Sequence, residues 1–295
     1  MVQATFSDAA LVLLGHGSTV NQESGASVYQ HGAELRRRRV FEEVREAFWK
    51  QEPHVRDVLV QIRAPKVFIV PFFISEGYFS QQVIPEALGF PANEQDPVRT
   101  QLQGSQILSY CQPIGTHPGI TQIVLSRARE VLDRFPFPRA PKANEVTLFI
   151  AGHGTEQNDN SRAAIEHQAD LLRAQNIYAA VQAILLEEEP RIGRCFELAQ
   201  TKNIIVVPFF VSDGMHVHED IPVLLGEPER IVKQRLDSGQ ATWRNPTEKK
   251  GKLVWYAASA GTHPAIAELI VERAREAACS ATRGKTRPGQ PGTTG

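Results

Sequence analysis

Short apolar runs recur along the chain, each closed by glycine, proline or polar residues: "LVLLG" (11–15), "VFIVPFF" (67–73), "LFIAG" (148–152) and "IIVVPFF" (204–210). Runs of this length without alternation predict strands buried on both faces. Between them the period changes. "SRAAIEHQADLLRAQ" (161–175) places Ile165, Ala169 and Leu172 at helical spacing, with Ser161 as a candidate N-cap. Then come "YAAVQAILL" (178–186) as a strand, "RIGRCFELAQT" (191–201) as a helix and "NIIVVPFF" (203–210) as a strand. A short helix from about Asp220, the strand "LVWYAAS" (253–259) and the helix "AIAELIVERAREAA" (265–278) complete the series. Apolar strands alternating with amphipathic helices predict an α/β fold: a small parallel sheet with helices on both faces. Ligands of such sheets bind beyond the carboxyl ends of the strands.

The pattern is written twice. "LVLLGHGSTVNQES" (11–24) answers to "LFIAGHGTEQNDNS" (148–161), with His16 over His153, an offset of 137 positions. The same offset lays Pro71-Phe72-Phe73 on Pro208-Phe209-Phe210, Ser75 on Ser212, Gly77 on Gly214 and Pro85 on Pro222. The later "GTHP" motifs at 115–118 and 261–264 are 146 apart, so nine residues are inserted between, in the polar stretch 227–251. Two tandem copies follow: a domain over 8–134, a proline-rich linker over 135–145 and a second domain over 146–280. The polar, glycine- and proline-rich tail 281–295 is expected to be disordered.

Net charge is −1, which supplies no field to draw in nucleic acid or an anionic membrane. No apolar stretch approaches the roughly 20 residues of a membrane span, and the N-terminal residues lack a secretory pattern. A cytoplasmic protein is expected. Cys111, Cys195 and Cys279 are far apart, which argues against an iron–sulfur cluster and suits buried small hydrophobes. The run Arg36–Arg39 is either a solvated helix face or a clamp for an acidic ligand.

Candidate chemistry gathers in the second copy. Gly152-His153-Gly154, "VSDGMHVHEDIP" (211–222) and Gly261-Thr262-His263-Pro264 all fall at carboxyl ends of strands. Neutral imidazole both binds divalent transition metals and accepts protons near neutrality. His216 and His218 point the same way in extended chain and diverge if a helix begins earlier. Asp213, Glu219 and Asp220 are placed to orient an imidazole or attract a cation. The first copy has Tyr78, Phe79 and Gln81 where the second has Met215, His216 and His218. His117 and His263, in identical contexts in both copies, suit a structural role. Glu187–Glu189 is a solvated loop or a cation-delivery point.

Taken in order, "GHGTEQNDNS" (152–161), "VVPFFVSDGMHVHEDIP" (206–222) and "GTHP" resemble the CbiX/SirB class of sirohydrochlorin chelatases in its long form, over most of residues 8–280. The resemblance implies two tandem chelatase-like domains and insertion of a divalent metal, cobalt or ferrous iron, into sirohydrochlorin. The metal is substrate, and no organic cofactor is implied. It implies that His153 and His216 are the catalytic pair, one as metal ligand and one as proton acceptor. His218 lies beyond that pair and is a third candidate ligand. The first copy keeps His16 but lacks the second histidine, which makes it degenerate, with Tyr78 and Phe79 as a wall for a flat ring. The substrate's carboxylates need donors, for which Asn158, Ser161, Ser212, Ser18, Asn21, Ser24 and Arg162 are candidates. A monomer is preferred, since fused copies stand in for a homodimer.

Three other functions compete. A histidine phosphoryl-transfer enzyme would carry arginine where Gly15 and Gly152 stand. A non-catalytic tetrapyrrole or metal carrier needs no base. A chelatase for nickel or another tetrapyrrole keeps the chemistry, since imidazole ligands do not select among these metals.

Overall fold

The computed structural model describes residues 6–18, 25–91, 98–154 and 160–284. Each copy forms a five-stranded sheet. In the first, β1 (Phe6–Gly15), β2 (Phe41–Phe48), β3 (Lys66–Pro71), β4 (Arg99–Gln103) and β5 (Gln106–Tyr110) take the order β2-β1-β3-β5-β4. In the second, β6 (Val146–Gly152), β7 (Ala180–Leu185), β8 (Asn203–Pro208), β9 (Thr247–Lys249) and β10 (Lys252–Tyr256) repeat it as β7-β6-β8-β10-β9. All pairings are parallel except the edge strands β4 and β9, which run antiparallel to their neighbours. Both edge strands are largely polar and escape an apolar pattern.

The helices are α1 (Ala26–Arg38), α2 (Val55–Gln61), α3 (Ile84–Ala87) and α4 (Ile120–Arg134) in the first copy. In the second they are α5 (Asn160–Ala174), α6 (Cys195–Leu198), α7 (Ile221–Leu224), α8 (Glu229–Asp237) and α9 (Ile266–Gly284). Ile165, Ala169 and Leu172 are buried, as their spacing requires. Three expectations need correction. The helix over 191–201 shrinks to a 3-10 turn and the single turn α6. The C-terminal helix runs to Gly284, into the segment expected to be disordered. Cys111 and Cys195 are buried, but Cys279 is exposed on α9.

The terminal helix of each copy packs on the other copy's sheet. α4 lies against β8 and β10, and α9 lies against β3 and α1. One continuous apolar core therefore holds residues of both sheets, among them Leu13, Val70, Ile205 and Trp255. The polar contacts of this exchange obey a pseudo-twofold. Arg273, 3% exposed, donates to the carbonyl of Pro113 at 3.2 Å and to the Thr116 hydroxyl at 2.9 Å. Its counterpart Arg127 donates to the carbonyl of Ser259 and to the Thr262 hydroxyl, each at 2.9 Å. His263 Nε2 meets Glu130 at 2.8 Å and His117 Nε2 meets the equivalent Glu276 at 3.7 Å, with Glu272 nearer at 3.1 Å, while their Nδ1 atoms accept the backbone N–H groups of Ala265 and Gly119. The G-T-H-P histidines thus tie the halves together.

His31 is the asymmetric member of this interface. Its Nε2 donates to the carbonyl of Gly261 at 2.7 Å, and burial pushes the imidazole below its ordinary value. The 137-residue offset places Gln168 at the equivalent position in the second copy. Unfolding exposes a group that binds a proton more readily than in the fold, so the protein loses stability as pH falls through about 6.5 towards the lower folded value. His31→Gln is expected to flatten that loss in denaturant midpoints measured from pH 7.5 to 5. An unchanged slope would assign the pH dependence to other groups.

Candidate metal-handling site

The site is assembled at the carboxyl end of the second sheet. Gly152 ends β6, and a side chain there would overlap Ile165 of α5, so only glycine lets strand and helix meet this closely. Gly154 adopts φ +67°, which turns the chain sharply and leaves His153 on the corner, its side chain 39% exposed. The N–H of Glu187, just beyond β7, donates to the carbonyl of His153 at 3.1 Å, and this places the Glu187 carboxylate 3.7 Å from His153 Nε2.

His216 arrives from the other side, on a π-type turn over His216–Asp220 that leads into α7. The buried Tyr256 hydroxyl anchors this turn by donating to the carbonyl of Val217 at 2.7 Å. The imidazoles of His153 and His216 stand edge to face, 5.0 Å between centroids and 79° between planes. His153 Nδ1 lies 2.6 Å from the carbonyl of Gly154, and His216 Nδ1 lies 2.6 Å from the Asp220 carboxylate. Both partners can only accept, so the proton sits on Nδ1 in each ring and the Nε2 lone pair is left for a metal or a proton. An open cavity of about 350 Å³ adjoins His216 and is lined by Leu186, Val223, Glu187, Glu219, Asp220 and Glu229, among others.

His218 does not join the pair. The helical turn begins at His216, earlier than the expected start near Asp220, so two residues of helical rotation carry His218 round to an exposed face. Among the described residues no group of three or more His, Cys, Asp or Glu side chains forms a metal cage. Of the acidic neighbours, Asp220 orients His216. Asp213 instead accepts from the Ser259 N–H at 2.8 Å and the Thr262 hydroxyl at 3.1 Å, binding the loop after β8 to the G-T-H-P loop. The three glutamates separate as well: Glu187 faces His153, Glu188 pairs with Arg162 at 2.9 Å, and Glu189 pairs with Arg194 at 3.4 Å. Arg162 also holds Glu166, so its guanidinium is engaged by protein carboxylates.

Ser161 lies in the first turn of α5, Ser212 in the partly exposed loop after β8, and the Ser18 N–H donates to Gln51 at 2.9 Å. Asn21, Ser24 and Asn158 fall outside the described residues. The arginine run resolves as a helix face: Arg36 pairs with Glu46, Arg37 with Glu34, and Arg38 with Glu34 and Glu268.

The first copy reproduces the scaffold with different chemistry. His16 Nδ1 lies 2.9 Å from the carbonyl of Gly17, and Phe79 stands edge to face with His16 at 5.2 Å and 81°. Phe79 therefore takes the position and attitude of His216. Where Glu187 faces His153, Lys50 lies over the Phe79 ring at 5.1 Å. Burial, with the Lys50 ammonium adding to it, holds His16 below its ordinary value. Lys50 went unnoticed in the sequence, although the same 137-residue offset sets it over Glu187.

Comparison with known proteins agrees with the doubled scaffold. The CbiX family model matches twice, over residues 10–131 and 147–277. The chain belongs to the CbiX family. A probable sirohydrochlorin cobaltochelatase of Halobacterium salinarum is 37% identical over 279 residues, which is 91% of each chain. Among solved structures, DR2241 of Deinococcus radiodurans, a multi-domain protein with similarity to chelatases, superposes with a TM-score of 0.70 at 28% identity. The match covers 92% of this CbiX-family chain and 54% of that longer one. SirB of Bacillus subtilis, solved with Fe³⁺, matches with a TM-score of 0.65 over 93% of this chain and 97% of its own, at 18% identity. That likeness shows the two-copy chelatase-like fold. Among the described residues no helix is long and apolar enough to cross a membrane.

Proposed function

We propose that the protein inserts a divalent metal, cobalt or ferrous iron, into sirohydrochlorin from its second half, with His153 and His216 handling the metal and the protons. The observation that carries this is the imidazole pair at 5.0 Å with both Nδ1 atoms occupied by acceptors, leaving both Nε2 lone pairs available. Metal insertion needs little more. The incoming ion must exchange water for weak ligands that later let it go, and two pyrrole N–H bonds must break as the four ring nitrogens take up the ion, releasing two protons. One imidazole serves as ligand while the other accepts a proton. A partly exposed imidazole is suited to that work near neutral pH. Asp220 fixes the ring of His216, and Glu187 stands beside His153 Nε2 to share the ion or take up a proton. The carboxylates around the adjoining cavity favour approach of a cation.

Ser161, Ser212 and Ser18, with Asn21, Ser24 and Asn158, are the proposed donors to the macrocycle's carboxylates, and Tyr78 and Phe79 its aromatic contacts. His218, exposed and turned away, has no part in this scheme. The direct test mixes the purified protein anaerobically with sirohydrochlorin and Co²⁺, Fe²⁺ or Ni²⁺ and follows the absorbance change on insertion. Acceleration over the protein-free mixture is expected with cobalt or iron. Macrocycle binding without acceleration for any of the three metals would replace the chelatase by a carrier.

A further inference from the structure

The two histidine corners carry side chains of opposite charge on the same scaffold. On the second, Glu187 stands 3.7 Å from His153 Nε2, Asp220 holds His216 Nδ1, Glu219 lines the cavity beside His216, and His218 lies on the same turn. The offset that relates the copies replaces these residues with Lys50, Gln82, Val83 and Gln81. Three carboxylates thus give way to one ammonium and no acid, and the second imidazole becomes a phenyl ring. Backbone placement is unchanged: the Lys50 N–H donates to the carbonyl of His16 at 2.8 Å, as that of Glu187 does to His153. The Tyr110 hydroxyl holds the carbonyl of Ser80 at 2.8 Å, as Tyr256 holds that of Val217. A half that had merely lost its function would have no need to keep this framework while presenting large aromatic rings to solvent. Tyr78 is 61% exposed and Phe79 37%, against each other at 6.0 Å, with the exposed Lys50 ammonium over the Phe79 face.

Flat aromatic surface beside an unneutralised cation recognises a planar, conjugated anion, by ring stacking and carboxylate pairing. Among the described residues Lys50 makes no ion pair with a carboxylate, so its charge is available. The ammonium draws a polyanion to this loop, while a divalent cation is drawn to the carboxylates beside the imidazole pair. We propose that Lys50, Tyr78 and Phe79 form a metal-free docking site for a planar aromatic polycarboxylate, the macrocycle itself, so that the halves divide the two substrates between them. This rests on the function proposed above for the identity of the macrocycle, but not for its chemical class.

The experiment is metal-free binding to the full chain, read by quenching of macrocycle fluorescence at low and high salt, with sirohydrochlorin and with uroporphyrin as a generic planar octacarboxylate. Lys50→Glu, at an exposed position, is expected to weaken binding about tenfold, the equivalent of ~1.4 kcal/mol. It should also flatten the salt dependence, which a merely structural role would not do. Lys50→Gln should fall between, and Tyr78→Ala with Phe79→Ala should weaken binding at both salt concentrations. The double variant His153→Ala with His216→Ala, which removes the metal-handling pair, should keep the Lys50-dependent salt effect. Parent-like binding by Lys50→Glu would overturn the proposal, as would loss of binding in the double-histidine variant with the aromatic variants unaffected. Lys50-dependent binding of uroporphyrin without binding of sirohydrochlorin would keep the docking site and remove the proposed substrate. Failure to bind either ligand would remove both.

Discussion

Replacing His153 or His216 by alanine is expected to lower metal insertion by about 10²–10⁴-fold, the range for removing a positioned acid–base group. His16→Ala should stay within a few-fold of the parent. The difference follows from partners. His153 faces a second imidazole at 5.0 Å and a carboxylate at 3.7 Å from its Nε2. His16 has the same backbone corner but faces a phenyl ring and lies on the side of an ammonium, which repels a cation. Asp220→Asn grades the scale. It keeps a side chain of the same shape beside His216 Nδ1 but removes the charge that fixes the tautomer, so a loss on the order of 10–100-fold is expected. Steady-state insertion rates with cobalt for the four variants decide the matter. Equal losses in His16→Ala and His153→Ala would show that chemistry is shared between the halves.

Much of this was legible because the sequence repeats itself. One offset exposed two copies, aligned His16 with His153 and set Phe79 over His216. The apolar runs located the central strands β1, β3, β6 and β8, whose burial on both faces leaves a continuous hydrophobic signature. What stayed hidden lacked such a signature. The edge strands β4 and β9 are polar and pair on one side only. Helix α8 buries the single residue Val232 among charged neighbours. Exchange of α4 and α9 between the halves leaves no trace in periodicity, since an amphipathic helix fits either sheet. The position of His218 turned on where a helix begins, and a shift of a few residues there moves a side chain from the site to solvent. Glu187 and Lys50 are the instructive pair: the glutamate run stood out as a solvated loop or a cation-delivery point, but only its alignment with Lys50 shows that the charge beside the histidine is reversed between the copies.

Gly261→Ala tests whether the inter-half joint and the metal pair are mechanically one unit. A Cβ at Gly261 would overlap the backbone of Val211, and backbone cannot step aside as a flexible side chain can. Val211 begins the loop that carries Asp213 and then His216, while the carbonyl of Gly261 accepts the buried His31 Nε2–H. The substitution therefore pushes on the His216 turn from behind and strains the contact to the first half. Destabilisation of about 2–3 kcal/mol is expected, the upper part of the overpacking range. Gly115→Ala creates the same clash in the first copy, against the backbone of Ile74, whose loop carries Tyr78 and Phe79. Its stability cost should match or exceed that of Gly261→Ala. The kinetic consequences should part: Gly261→Ala lowers the turnover number by displacing an imidazole, whereas Gly115→Ala raises the macrocycle KM and spares turnover. Denaturant unfolding gives the first comparison, and insertion kinetics at a temperature where both variants are folded give the second. If both glycines lower turnover alike, the loops beyond the two sheets act as one body and no division of labour between the halves exists.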